Sequence, residues 1–357
     1  MKNHLKNIIL TGVAGALLAP ALNAATVNLV EVGGNASIKL VQNRVPTILT
    51  GATLTTNPTN SLIFRYTGTY AGNSVIWDFN LTGGAVAIND IANQNPVTLA
   101  DNSTGIPKYI ATVTAPETVG VDSTPFQQDF TLVAPLVYVK NPNATGNSVA
   151  GITNLTQRQA ILLEQSGGTL PTAFFGGNPA SNNIPGDALY FVGRNGSAAV
   201  RQVFDANIYF SGSAQNFTTN PVVGQPPVLW DGAGSGTEVA NIVKLIPNSI
   251  GTVAVQDATG LPQLSYEGVA FSTTNVINGS YPIWGYERYL YYPSGSKAPS
   301  ANQLALIQAL ETAVEDPTFQ ADTTKPFYGK FVSYAAVNAS VYRDPTVDGS
   351  LILSNVY

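Results

Sequence analysis

Three short runs in this chain place small and hydroxyl residues between a β-rich stretch and a following helical pattern: Gly33-Gly34-Asn35-Ala36-Ser37, Gly193-Arg194-Asn195-Gly196-Ser197-Ala198 and Gly234-Ser235-Gly236-Thr237. Small residues let a backbone approach a ligand closely. The free N–H groups and positive dipole end of the helix then face an anion. Any one such run is also what an ordinary capped helix start looks like. Arg194 distinguishes the second run, because a permanent guanidinium fork before a helix start either makes paired charge-assisted bonds to an oxyanion or forms a structural salt bridge to a nearby acid.

Other chemistry is narrowed by what is missing. Among 357 residues there is no Cys and a single His, His4. That His lies in a segment expected to be removed, which excludes Ser-His-Asp and Cys-His catalysis, His/Cys zinc sites and disulfide scaffolds. Carboxylates remain: Glu117, Asp122 and Asp129 around a strand entrance, and Glu238, Glu267 and Glu287 near Gly-rich turns. No pair of them carries a motif for glycoside hydrolysis, and solvated surface acids account for most such residues. The expectation is a protein without catalytic residues, cofactor or metal.

The elements that must position these turns are mostly short and β-rich. Val27 to Val32, Leu62 to Tyr66, Val75 to Leu81, Phe130 to Lys140, Ala188 to Val192, Ile250 to Val255 and Tyr281 to Tyr292 have the branched and aromatic content of strands. The last carries enough aromatics to stack sugars, or to be a central strand packed on both faces. Ser300 to Gln303 is a capping-box start, and Leu304, Ile307, Leu310 and Val314 recur at helical spacing until Asp316-Pro317. Further helices are predicted over Thr237 to Ile246, Ala198 to Phe204 and Asn154 to about Gln165. The recurring unit of strand, small-residue turn and helix implies an α/β fold.

The N-terminus has the three parts of a secretory leader: Lys2 and Lys6, an apolar stretch from Ile8 to Leu18, and small residues ending at Ala24 and Ala25. Residues 1–25 are therefore expected to be removed, giving a periplasmic or secreted protein with no membrane-inserted segment. The chain carries 16 Lys+Arg against 21 Asp+Glu. Losing Lys2 and Lys6 makes it more acidic still, which argues against nucleic acid as a partner.

Taken in order, these segments resemble the periplasmic phosphate-binding proteins of ABC transporters, in a divergent branch of that superfamily, over nearly the whole mature chain. Glu31-Val32-Gly33-Gly34-Asn35-Ala36-Ser37 resembles the first strand and first ligand loop. Asn80 to Ile88 resembles the second loop, and Ser123-Thr-Pro-Phe126 followed by Leu132 to Lys140 the strand that crosses between lobes. Gly193-Arg194-Asn195 with Arg201 resembles the Gly-Arg-x-x-x-Ser-Gly-Thr-Arg loop, Ile250-Gly251 with Asp257-Ala258 the Ile-Gly-Tyr strand, and Tyr281-Pro-Ile the return to lobe one.

The resemblance implies a two-lobe periplasmic-binding-protein type II fold, each lobe a mixed sheet flanked by helices. Lobe 1 would comprise residues 26–137 and 275–357, and lobe 2 residues 138–274. It implies a monomer that captures phosphate or a similar small oxyanion between the lobes and works with an ABC permease. Carried over residue by residue, the ligand site would comprise Asn35, Ala36 and Ser37, Thr82 and Gly83, Glu117 and Thr118, and Arg194, Asn195, Gly196, Ser197 and Ala198. Arg194 would be the charge anchor, Ser37, Thr82 and Ser197 the hydroxyl donors, and Glu117 or Thr118 the proton acceptor. The chain departs from the pattern in three places: Ala198-Ala199-Val200 replaces Ser-Gly-Thr, Glu117-Thr118 replaces Ser-Asp, and the first loop lacks its aromatic. A surface or periplasmic structural protein with a decayed pocket is the alternative on the same fold.

Overall fold

A computed structural model of the chain describes residues 25–34, 37–143, 148–167, 170–177, 188–211, 230–316, 318 and 331–354. The expected leader, residues 1–24, and the loop residues Asn35 and Ala36 lie outside them. Ten strands form the main sheet: β1 (Thr26–Gly33), β2 (Thr50–Thr56), β3 (Ile63–Tyr70), β4 (Asn73–Asn80), β5 (Tyr109–Thr112), β6 (Gln127–Lys140), β7 (Tyr190–Val192), β8 (Ser249–Ala254), β9 (Trp284–Tyr291) and β10 (Val332–Ser333). Their order is β7-β8-β6-β9-β5-β1-β4-β3-β2, with β10 also on β6. Parallel pairs (β1 with β4 and β5, β7 with β8) and antiparallel pairs mix within it.

β6 ties the two halves together. Its residues from Gln127 to Pro135 pair with β9, and those from Leu136 to Lys140 pair with β8. The change of partner falls at Pro135, a residue with no N–H to leave unpaired inside a sheet. β9 is buried along its whole length between β5 and β6. Its aromatics therefore build the core: Tyr289 stacks on Tyr109 at 5.5 Å, and Tyr286 meets Phe130 and Trp284. Sugar stacking by this segment is thereby excluded.

Eight helices flank the sheet among the described residues: α1 (Ile38–Ile48), α2 (Gly84–Asn93), α3 (Gln157–Ser166), α4 (Ala199–Asn207), α5 (Gly236–Leu245), α6 (Thr273–Ile277), α7 (Ala301–Glu315) and α8 (Tyr334–Ser340). Asn154–Leu155, read as a helix start, is instead a short strand, and α3 begins after Thr156. No helix among the described residues is long and apolar enough to cross a membrane.

Candidate anion-binding site

β1 and β4 deliver the chain to α1 and α2 at one edge of the first lobe, and α4 starts opposite them in the second. Gly33 is required where the first loop leaves β1, because a Cβ there would lie 2.3 Å from the Ala111 carbonyl oxygen. Gly84 is required for the lobes to meet. Its Cβ would lie 2.5 Å from Thr112 Oγ1 and 2.7 Å from Ala199 Cβ across the cleft. The three helix starts then enclose a pocket lined by Gly34, Ser37, Gly83, Gly84 and Val113 on one side and by Arg194 and Ala198 to Val200 on the other.

Among the eight described α-helices, the starts at this pocket differ from the other five. Thr156, Ser235, Ser272, Ser300 and Ser333 each cap their helix with a side-chain oxygen. No side chain caps α1, α2 or α4. The first-turn N–H groups of a helix have no partner inside it, and burying them without one is costly. Gly84, Ala85, Ala199 and Val200 are all buried. Ser37 occupies the N-cap position of α1, yet its hydroxyl bonds to Glu287 of β9 rather than to the helix backbone.

Arg194 is 5% exposed and donates through Nε to Ala233 O (3.1 Å) and through Nη2 to Gly234 O (2.9 Å). Its own carbonyl accepts from Arg201 Nη1 at 3.0 Å, and Arg201 is held in turn by Asp205 and Glu164. Burial lowers the Arg194 pKa to about 10, against the pull of Asp257 and Glu238, so it stays charged at neutral pH. The guanidinium braces the second-lobe loops and also lines the pocket.

The structure brings together five of the expected positions or their neighbours: Ser37, Gly83, Arg194 and Ala198 line the pocket, and Gly34 takes its place beside the undescribed Asn35 and Ala36. Thr82 is exposed and turns its hydroxyl back to Asn80 (2.7 Å). Ser197 and Asn195 bond to each other (3.0 Å), and Gly196 is exposed, so this end of the loop faces solvent. Glu117 accepts from Ser123, and Thr118 donates to Asp348 (2.8 Å). None of these six lines the pocket. The third turn also departs from expectation. Ser235 caps α5, Glu238 accepts from Gly234 N–H (2.7 Å), and Asp257 crowds Gly236 so closely that a Cβ would sit 2.1 Å from its Oδ2. The protein's own carboxylates occupy that helix start, leaving no anion site.

Sequence reasoning missed Gly84, Ala199, Val200 and Val113, whose apolar or absent side chains carry no chemical signal. It noted Glu287 without linking it to Ser37. Glu287 is wholly buried and its pKa is pushed up to about 7, mainly by desolvation, with Ser37 and Arg288 acting against the rise. Glu31 on β1 lies beside it and is raised well above the carboxylate range by burial and by Glu287. The cleft stands nearly closed, with a free volume of about 10 Å³, room for about one water.

The large mixed sheet flanked by helices matches the periplasmic-binding-protein-like fold. Solved structures of that kind superpose over most of the chain. A substrate-binding protein from Clostridium perfringens solved with bound phosphate matches with a TM-score of 0.55 at 14% identity, covering 86% of this chain and 99% of that one. An ABC-type phosphate transport receptor from Vibrio cholerae matches with a TM-score of 0.51 at 13% identity, covering 80% and 93%. No protein-family model matches the chain, and no curated protein matches it by sequence.

Proposed function

We propose that this chain is an exported, non-catalytic solute-binding protein that captures phosphate or a similarly small oxyanion between its lobes and presents it to an ABC permease. One observation carries the reading: among the described residues, the three α-helix starts that lack a capping side chain are the three that surround one buried, Arg-lined pocket. An oxyanion seated there accepts from first-turn N–H groups of both lobes and meets the positive ends of three helix dipoles. The phosphate-receptor fold of the structural neighbours supports the same choice of ligand. With about 10 Å³ free, the lobes have to part to admit it, and their closure couples capture to the shape shown to a permease.

The narrow, methyl-lined cleft favours a second reading, a structural or interaction protein at the cell surface or in the periplasm that retains the fold without the ligand. Isothermal titration separates the two. Mature protein, freed of carried-over ligand by unfolding and refolding, is titrated with phosphate and with sulfate beside Arg194→Ala and Arg194→Lys. Micromolar binding that Arg194→Ala weakens on the order of a hundredfold supports the receptor, since losing two hydrogen bonds to a charged ligand costs about that much. No heat with either anion from folded protein moves the assignment to the structural role.

A further inference from the structure

Ser37 stands between the pocket and a carboxyl group that the anion itself would not reach. Its hydroxyl bonds to Glu287 Oε1, while Glu287 Oε2 is buried with no hydrogen-bond partner, and the adjoining Glu31 carboxyl is buried beside it. A serine hydroxyl has one proton to give and two lone pairs. When Glu287 is ionised it takes that proton, and Ser37 presents only lone pairs to the cleft. When Glu287 is protonated it donates to Ser37 Oγ, and the serine proton is released toward the pocket.

We propose that Glu287 is a specificity-determining positioning residue, which acts through Ser37 so that the cleft binds an oxyanion only together with a proton on the Glu287 carboxyl. The proposal deepens the solute-binding reading and rests on it. Complete burial pushes Glu287 toward the protonated form. Glu31 faces it from β1, Tyr289 from its own strand, and Tyr109 of β5 and Glu311 of α7 complete the same acidic and phenolic cluster, with Asp129 of β6 beyond Glu311. The neighbouring Arg288 pulls the other way, but its guanidinium is committed to Val113 O, Pro345 O and Asp348. An anion arriving next to Ser37 adds one more negative charge and draws the proton on. The proton comes from solvent and no covalent bond other than O–H changes. The device supplies a donor where the chain has Ala198 and Val200 in place of hydroxyl residues.

The test is titration with sulfate, whose charge does not change across neutral pH, on wild type and on Glu287→Gln from about pH 5.5 to about 8.5, in buffers of differing ionisation heat. The glutamine amide donates permanently, as the protonated acid does. Wild-type affinity is expected to fall by about tenfold per pH unit on the alkaline side, with a proton taken up on binding, as linkage requires. Glu287→Gln is expected to keep the low-pH affinity throughout and to take up none. Phosphate in place of sulfate gives the same comparison, because its own titration is common to both proteins. Should the variant not fold, proton uptake by wild type carries the test alone. Flat wild-type affinity, or a slope that survives in Glu287→Gln, overturns the proposal and leaves anion capture standing. Wild type that binds neither anion at any pH overturns both.

Discussion

The helix starts of this protein fall into two groups that are governed by different partners. At α3, α5, α6, α7 and α8 a Ser or Thr closes the first turn, and at α3 and α7 a Gln at the third position returns the bond to make a full capping box. At α1, α2 and α4 the N-cap positions are Ser37, Gly83 and Ala198, and none of them caps. The first group is self-sufficient. The second leaves donors to be satisfied from outside the helix, all in one cleft, so the pocket here is marked by withheld local interactions as much as by supplied ones.

The comparison breaks most completely at Gly84, where the two lobes touch. Gly84→Val puts side-chain atoms where Thr112 and Ala199 already stand. It is expected to hold the lobes apart and cut anion affinity by more than about a hundredfold while the protein stays folded, read by titration calorimetry with circular dichroism as the control.

The next effect is on stability and its pH dependence. Because the Glu287 pKa rises on folding from an ordinary 4.5 to about 7, the unfolded chain releases this proton first. Its contribution to stability is full below pH 4.5 and is lost as pH climbs through about 7. Glu287→Gln removes that loss, so chemical denaturation should show the variant gaining on wild type by roughly 3 kcal/mol between acid and alkaline conditions. A difference that does not change with pH would show that Glu287 titrates normally.

Two smaller effects sharpen the division between the groups. Ala198→Ser gives α4 the cap it lacks. Thermal melts should show the ligand-free protein more stable by about 1 kcal/mol, with weaker anion binding because the added hydroxyl competes for the same N–H groups. Ser300→Ala removes a cap from α7 and should cost about 1 kcal/mol with no change in anion affinity. If Ser300→Ala weakened binding as well, the two groups of helix starts would not be functionally separate.

The features that were legible in the sequence are those written locally. Ser300 and Gln303 form the predicted capping box, and each of the seven predicted strand runs overlaps a strand of the main sheet, with ends that differ by up to four residues. β2 was invisible because its Thr-rich face is exposed almost throughout, so no alternation marks it. α1 follows the first turn as expected, and it runs through Pro46. At the site, Arg194 and Ser37 were readable from residue type and turn chemistry. Thr82, Glu117 and Thr118 were not, because residue type does not say which way a hydroxyl or carboxyl turns: Thr82 turns back to Asn80, and Glu117 to Ser123. Thr118 turns to Asp348, far along the chain. The link between Ser37 and Glu287 spans the molecule in the same way and follows only from strand order.

The position of β9 has a consequence for how the molecule comes into being. It lies in the middle of the sheet, between β5 and β6, although it is made long after both. A growing chain therefore cannot close its principal core until residues beyond Tyr291 have emerged, and pairings so distant in sequence form slowly. For most of its synthesis the polypeptide has nothing complete to collapse onto. The strands made early wait on one made late.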